Sequence, residues 1–261
     1  MNFSLQLMSY NIKYDSAEEN EGWSERRKLV GKIIKQQNPD LIGMQECLYH
    51  QITDLQEMLS GYSWIGFGRE GGSKGEFTPI FYKKKRFRVI EYDHVWLSDT
   101  PNKIASKTWG NIVPRIVTWV LFLDKDTKKT FYQINTHFDN HSALARVKSA
   151  ELINKIINDF NPQFPILLSG DFNVGCNSEI YSYFTKEGSF VDVWDTAIKT
   201  ENSSLGSFND FHNLTGGKDR IDWILMKAKA NVNFVKLVND TVNNQFPSDH
   251  FPVVTSLYYM D

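Results

Sequence analysis

Leu5-Gln6-Leu7-Met8-Ser9-Tyr10-Asn11 alternates in the manner of a β-strand and ends on an amide. Beyond it, Leu29, Val30, Ile33 and Ile34 recur on one face of a predicted helix. Ser24 is the expected N-cap of that helix, Glu25 falls in its first turn, and Asn38-Pro39 stops it before a strand at Leu41-Ile42-Gly43-Met44. A strand, helix, strand unit therefore opens the chain and delivers Gln45-Glu46 to a strand end. The same device recurs downstream. Thr130-Phe131-Tyr132-Gln133-Ile134-Asn135 runs into Thr136-His137, and Ile166-Leu167-Leu168 runs into Ser169-Gly170-Asp171-Phe172-Asn173. Polar residues gathered where strands end mark the edge at which α/β folds place their sites.

Further helices are expected over residues 51–59 and 144–160, with a mostly β middle that includes a hairpin across Asp124-Lys125-Asp126-Thr127-Lys128-Lys129. No low-complexity tract or repeat interrupts the 261 residues, so one domain over residues 1–261 is expected. A hydrophobic fraction of 41% supplies a substantial core. No stretch approaches the roughly 18 apolar residues of a membrane span, and the opening Met1-Asn2-Phe3 has no basic leader character. Cys47 and Cys176 are too few for a disulfide scaffold, which makes a cytoplasmic location the default. The net charge of −2 argues against a surface built to hold a long nucleic-acid backbone. The basic run Lys83-Lys84-Lys85-Arg86-Phe87-Arg88 reads as a solvated hairpin turn.

Asn11, Glu46, His137, Asp171, Asn173, Asp222, Asp249 and His250 all fall at or beside strands. Carboxylates, amides and imidazoles in that number suit phosphoester hydrolysis, which needs a base for water, a cation for phosphoryl oxygens and a donor for developing charge. Glu46, helped by Asn11 or Asp249, is a sufficient oxygen donor set for a hard cation. Zinc spacings such as Cys-x-x-Cys do not occur. Asp171 and Asn173 share one side of an extended chain and could hold a water between them, although Gly, Asp and Asn are equally the residues of a plain β-turn. Asp222 is placed to orient His250. In Asn135-Thr136-His137-Phe138-Asp139-Asn140-His141 the functional imidazole is His137 or His141, with His137 preferred because it directly follows the strand. Arg115 and Arg146 are candidates to clamp a phosphate. Trp23, Trp96 and Trp109 are core anchors or stacking surfaces for bases.

Met8-Ser9-Tyr10-Asn11, Gln45-Glu46, Asn135-Thr136-His137, Gly170-Asp171-Phe172-Asn173, Arg220-Ile221-Asp222-Trp223-Ile224 and Ser248-Asp249-His250-Phe251-Pro252, in this order, resemble the endonuclease/exonuclease/phosphatase superfamily. That superfamily includes pancreatic deoxyribonuclease, abasic-site endonucleases, inositol polyphosphate phosphatases and deadenylases. The resemblance implies an α/β four-layer sandwich of two mostly antiparallel β-sheets flanked by helices. It also implies the roles: Glu46 and Asn11 at Mg2+ or Mn2+ with Asp249 in support, Asp171 and Asn173 on the attacking water, His250 paired with Asp222, and His137 donating to the phosphoryl group. Asn135 and Arg115 would contact substrate. Asn135-Thr136-His137, Gly22-Trp23-Ser24-Glu25-Arg26-Arg27 and Trp96-Leu97-Ser98-Asp99-Thr100-Pro101 are similar to a bacterial deadenylase-like subgroup. The expected activity is a phosphodiesterase or nuclease, such as a 3'-to-5' exonuclease on short single-stranded nucleic acid. A hydrolase of a small phosphorylated metabolite or lipid headgroup is the alternative, and a non-catalytic binding protein a remote one. No protein partner is evident in the sequence.

Overall fold

In a computed structural model describing residues 4–16, 22–241 and 245–259, thirteen strands build two facing sheets. The opening unit is β1 (Leu5–Asn11), α1 (Trp23–Gln37) and β2 (Leu41–Gln45), with β1 and β2 parallel and in contact. There follow α2 (Tyr49–Met58), β3 (Tyr62–Ile65), β4 (Ile80–Lys83), β5 (Phe87–Trp96), β6 (Ile116–Asp124), β7 (Thr130–His137), α3 (Ala143–Asn158) and β8 (Ile166–Asp171). The chain closes with β9 (Val191–Asp192), β10 (Ala197–Glu201), β11 (Asp222–Lys227), β12 (Ala230–Leu237) and β13 (Val253–Tyr259). One sheet has the order β10-β12-β13-β1-β2-β4-β3 and the other β5-β6-β7-β8-β11-β9. Among the described residues only β1 with β2, β7 with β8, and β10 with β12 pair in parallel. The expected pair of mostly antiparallel sheets flanked by helices is what forms.

Three hydrophobic clusters correspond to the three interfaces of four layers. Met8, Tyr10, Ile42 and Met44 face α1 and α2, whose Val30, Ile33, Ile52 and Leu55 cover them. Tyr132, Ile134 and Leu168 face Ile153 and Ile157 of α3. Leu5, Leu7, Leu41, Phe131, Leu167 and Ile224 fill the space between the sheets. Because side chains alternate along a strand, the residues that continue each inward face are fixed: Ser9 and Asn11 after Leu7, Gly43 and Gln45 after Leu41, Gln133, Asn135 and His137 after Phe131, Ser169 and Asp171 after Leu167. Each inward face thus grades from apolar to small polar to ionisable toward one end of the sandwich.

The middle of that gradient is a buried polar seam. Asn135 on β7 donates to the carbonyls of Met44 (2.7 Å) and Pro79 (3.0 Å) on the opposite side and accepts from Gln45 Nε2 at 2.7 Å. Gln133 Nε2 donates to Ser169 Oγ at 2.9 Å. Gly43 makes room for the seam, since a Cβ there would lie 2.4 Å from Ser169 Oγ and 2.6 Å from Asn135 Oδ1.

Three local expectations are corrected. α1 begins at Trp23, with Gly22 at the N-cap, so Ser24 lies inside the first turn; no side-chain bond caps the helix. α2 starts two residues earlier than expected, where the Gln51 side chain accepts from the Leu48 N–H at 3.0 Å. The run 83–88 is no hairpin: it carries the chain from β4 in one sheet to β5 in the other. Arg86 within it is held against Asp40 (2.8 Å) and Asp124 (2.8 Å) rather than solvated. The 124–129 hairpin between β6 and β7 forms as expected. Met1-Asn2-Phe3 lies outside the described residues. Among the described residues no helix is long and apolar enough to cross a membrane.

Candidate active site

Where the polar ends of the strands converge, a cavity of about 610 Å³ opens to the surface. The end of β2 brings Glu46 to its wall from one sheet and β7 and β8 bring His137 and Asp171 from the other, while Asn11 at the end of β1 and Asp222 at the start of β11 lie buried directly behind them. The loop before β13 supplies Asp249 and His250. Ser248 ties that loop to β1 by donating its Oγ to the Asn11 carbonyl at 2.7 Å. Arg26, buried in α1, donates to the carbonyls of Ile12 (2.7 Å) and Pro247 (3.2 Å), fixing both loops together.

Asp171 is the hub. Its Oδ2 accepts from Asn11 Nδ2 at 3.0 Å and lies 3.5 Å from His137 Nε2 and 3.7 Å from His250 Nε2. Its Oδ1 accepts from the Asn173 backbone N–H at 2.9 Å. Burial, reinforced by the charge of Asp222, pushes the Asp171 carboxyl up from 3.8 to about 7. His250 Nδ1 meets Asp222 Oδ2 at 2.8 Å. Burial works against its charged form, but Asp222 and Asp171 together raise its pKa well above the ordinary imidazole value. His137 moves the other way: burial first, then the positive charges of Arg115 and Arg69, hold it neutral. Two imidazoles in one site are therefore held in opposite protonation states.

The opposite wall is acidic. Asn11 Nδ2 also donates to Glu46 Oε1 at 3.0 Å, and Lys13 Nζ stands 3.3 Å from Asp249 Oδ2 and 3.8 Å from Glu46 Oε2. Burial first, then the charge of Glu46, raises the Asp249 carboxyl, with His250 and Lys13 opposing. The lysine ammonium is a cation already seated between two carboxylates, which fits a hard divalent ion drawn to oxygen donors. Asp171, Asp222 and His250 also place ligand atoms within 4.8 Å of one another. In that trio, however, the His250 nitrogen facing Asp222 is engaged in a hydrogen bond, and the neighbouring carboxylates favour its protonated form.

Not every expected residue reaches the cavity. Asn135 is completely buried in the seam, its amide committed to main-chain carbonyls, so it is corrected from a substrate contact to an inter-sheet tie. Arg146 turns back to donate to the Asp139 carbonyl at 2.8 Å and is absent from the cavity wall. Asn11 presents its amide nitrogen to Glu46 and Asp171 and so orients both carboxylates, while its oxygen accepts from the Lys13 N–H at 3.1 Å. A flipped amide would set that oxygen against two carboxylates. Asn173 likewise spends its Nδ2 on the Phe138 carbonyl at 3.0 Å. Trp23, Trp96 and Trp109 are buried and bonded through their indole nitrogens, which leaves no ring face open for a base. Arg115 and both His137 and His141 do line the cavity. The sequence reading missed Lys13, Arg69, Glu76 and Phe208, which also line it; Lys13 was findable two residues beyond Asn11, whereas Arg69 carries no local motif.

Residues 8–250 match the Endonuclease/Exonuclease/phosphatase family, and the chain belongs to it. Its fold superposes on a mannosyl-6-phosphatase of Bacteroides thetaiotaomicron with a TM-score of 0.92 and 33% identity, covering 97% of this chain and 99% of that one. A protein of Acanthamoeba polyphaga mimivirus is 29% identical over 89% of this chain and 91% of its own length. Nocturnin of Rattus norvegicus is 22% identical over 88% of this chain, which spans just 56% of that relative.

Proposed function

We propose that this chain is a divalent-metal-dependent phosphoester hydrolase acting on a small phosphorylated substrate by in-line attack of water. The observation that carries the reading is the run of contacts from Asp222 through His250 and Asp171 to Asn11 and Glu46, hydrogen-bonded except for the 3.7 Å ion pair between His250 and Asp171, assembled from both sheets at and behind the cavity wall. Asp171, with a proton affinity suited to neutral pH, takes the proton of the attacking water. His250, held by Asp222, presents Nε2–H to a phosphoryl oxygen, and neutral His137 donates to another. Mg2+ or Mn2+, held by Glu46 with Asp249, would neutralise charge on the phosphoryl group.

A cavity of this volume suits a small ligand, and the similarity to a mannosyl-6-phosphatase along nearly the whole chain supports one. A second reading, hydrolysis of short single-stranded nucleic acid, is favoured by Phe208. Its ring is 40% exposed and packs edge-on to His250 at 5.1 Å, offering a face to a base or a sugar. The test is a panel of sugar phosphates, phospholipid headgroups, short RNA, single-stranded DNA and duplex DNA, run with Mg2+ or Mn2+ at two salt concentrations. Chelator-sensitive turnover of small phosphoesters with weak salt dependence is expected, and duplex DNA is expected to be the poorest substrate. Efficient, strongly salt-dependent cutting of long DNA would sink the small-substrate reading.

A further inference from the structure

The cavity wall beside His137 carries two arginines that the hydrolytic chain does not use. Arg69 comes from a turn that its glycines define: Gly71, Gly72 and Gly75 take positive φ of 102°, 58° and 72°, and a Cβ on Gly68 would lie 2.2 Å from the Lys74 carbonyl oxygen. That turn pairs the Arg69 N–H with the Glu76 carbonyl at 2.9 Å and sets the guanidinium on Glu76 Oε1 at 2.7 Å. Trp96 Nε1 fastens the same residue by donating to its carbonyl at 2.7 Å. Arg115, immediately before β6, donates to Asn140 Oδ1 at 3.1 Å and faces Asp139 Oδ2 across 3.5 Å. Both side chains are largely desolvated; the Arg69 Nε–H is buried without a hydrogen-bond partner, and the Arg115 Nε–H has only the loose 3.5 Å ion pair with Asp139 Oδ2. Burial and the charge of Arg115 pull Arg69 below its ordinary pKa, with Glu76 opposing. Each guanidinium has one carboxylate neighbour, and between them the pair keeps a buried donor that no protein group satisfies, which is costly unless a further anion meets it.

We propose that Arg69 and Arg115 form a two-pronged site for the dianionic terminal phosphate of a phosphomonoester, and that this pair makes the chain select monoesters over diesters. The inference rests on the hydrolase reading and narrows it to a substrate charge. A monoester has three non-ester oxygens: His250 and the acidic wall, with the cation it would hold, would engage one side of the group, and the planar arginine forks would donate to the rest. In a diester one of those oxygens becomes a second ester arm, which removes a charge and leaves buried donors unpaired. The water oxygen bonds to phosphorus, the P–O bond to the substrate carbon skeleton breaks, and a proton from water ends on the departing alkoxide, giving an alcohol and inorganic phosphate.

The test combines binding and turnover. Calorimetric titration with inorganic phosphate and with dimethyl phosphate, on the parent, Arg69→Gln and Arg115→Gln, reads the site without needing catalysis. Specificity constants for 4-nitrophenyl phosphate and methyl 4-nitrophenyl phosphate compare monoester with diester at one leaving group. Each variant should lose about tenfold to a hundredfold in phosphate affinity, and its monoester rate should fall at least about tenfold more than its diester rate. Arg69→Lys, which keeps the charge but not the fork, should recover only part. Equal losses on both esters, or unchanged phosphate affinity in folded Arg69→Gln, overturn the inference. If Arg115→Gln fails to fold, the loop variant Arg69→Gln decides alone. Phosphate binding that needs both arginines in a protein without turnover refutes the hydrolase reading and upholds the arginine site; turnover indifferent to both arginines does the reverse.

Discussion

Replacing Asp171 by Asn should destroy activity and stabilise the metal-free protein at alkaline pH. Burial raises the Asp171 carboxyl from 3.8 to about 7. A group whose folded pKa is raised contributes stability that is present below its unfolded value and lost as pH climbs through the folded one. At pH 8 the parent therefore bears nearly the full cost of the buried charge, whereas at pH 5, only about one pH unit above the unfolded value, it bears roughly a third of it. At about 1.4 kcal/mol per pH unit the shift corresponds to a ceiling of ~4 kcal/mol. Asn keeps one acceptor where Asp171 has two, so either the bond from Asn11 Nδ2 (3.0 Å) or that from the Asn173 N–H (2.9 Å) is lost, at roughly 1–3 kcal/mol. The net gain at pH 8 is on the order of 2 kcal/mol, or roughly 4–8 °C in Tm for a chain of this size. Calorimetric melts of parent and variant without metal at pH 5 and pH 8 measure it, and turnover should drop at least about a hundredfold. A variant less stable than the parent at pH 8, or an advantage that does not grow from pH 5 to pH 8, would refute the reasoning.

Asp222→Asn removes the partner that lifts His250, so turnover should fall by less than in Asp171→Asn and its alkaline limb should move to lower pH; a pH profile of kcat reads both. Glu46→Gln should weaken Mn2+ binding at least about tenfold by paramagnetic resonance, whereas Lys13→Met, which withdraws the ammonium between Glu46 and Asp249, should tighten it roughly tenfold. An unchanged affinity in Glu46→Gln places the ion elsewhere. Asn135→Ala should cost roughly 2–4 kcal/mol in denaturant unfolding, since the Met44 and Pro79 carbonyls and Gln45 Nε2 all lose a partner. A wild-type unfolding midpoint in that variant would mean the seam does not tie the sheets.

The order of strands and helices and the residues at the strand ends are legible because both depend on local pattern, whereas the pairing of two sheets into a sandwich is implied by the resemblance of the ordered motifs. Strand alternation, the stop at Asn38-Pro39 and a carboxylate or imidazole after each apolar run are properties of a few adjacent residues. Asn135 shows where local pattern misleads: it shares a motif and a strand face with His137, but two residues of extended chain set it a step deeper, where the sheets meet. Arg146 misleads and Arg69 goes unseen for a related reason. Arg146 follows the strand-end motif closely, yet α3 turns it onto its own N-terminal loop, whereas Arg69 arrives from a glycine turn whose distance from every motif is bridged only by the closed fold. The run 83–88 reads as surface because the acids that bury Arg86, Asp40 and Asp124, lie on different sheets.

The inward faces that pass from Leu7 through Ser9 to Asn11, and from Phe131 through Asn135 to His137, make the core and the chemistry one continuous ruler. Two greasy sheets alone could slide past each other with little change in contact area, since apolar packing has no direction. Directional bonds at Asn135, Gln45 and Ser169 forbid that slip, and with it any drift of the Asp171 half of the floor against the Glu46 half. A methyl group added at Gly43, in the middle of the molecule and facing no substrate, would therefore announce itself first as an enzymological defect. Loops at the rim, free of that alignment, are where a lineage can change what it hydrolyses without recalibrating how.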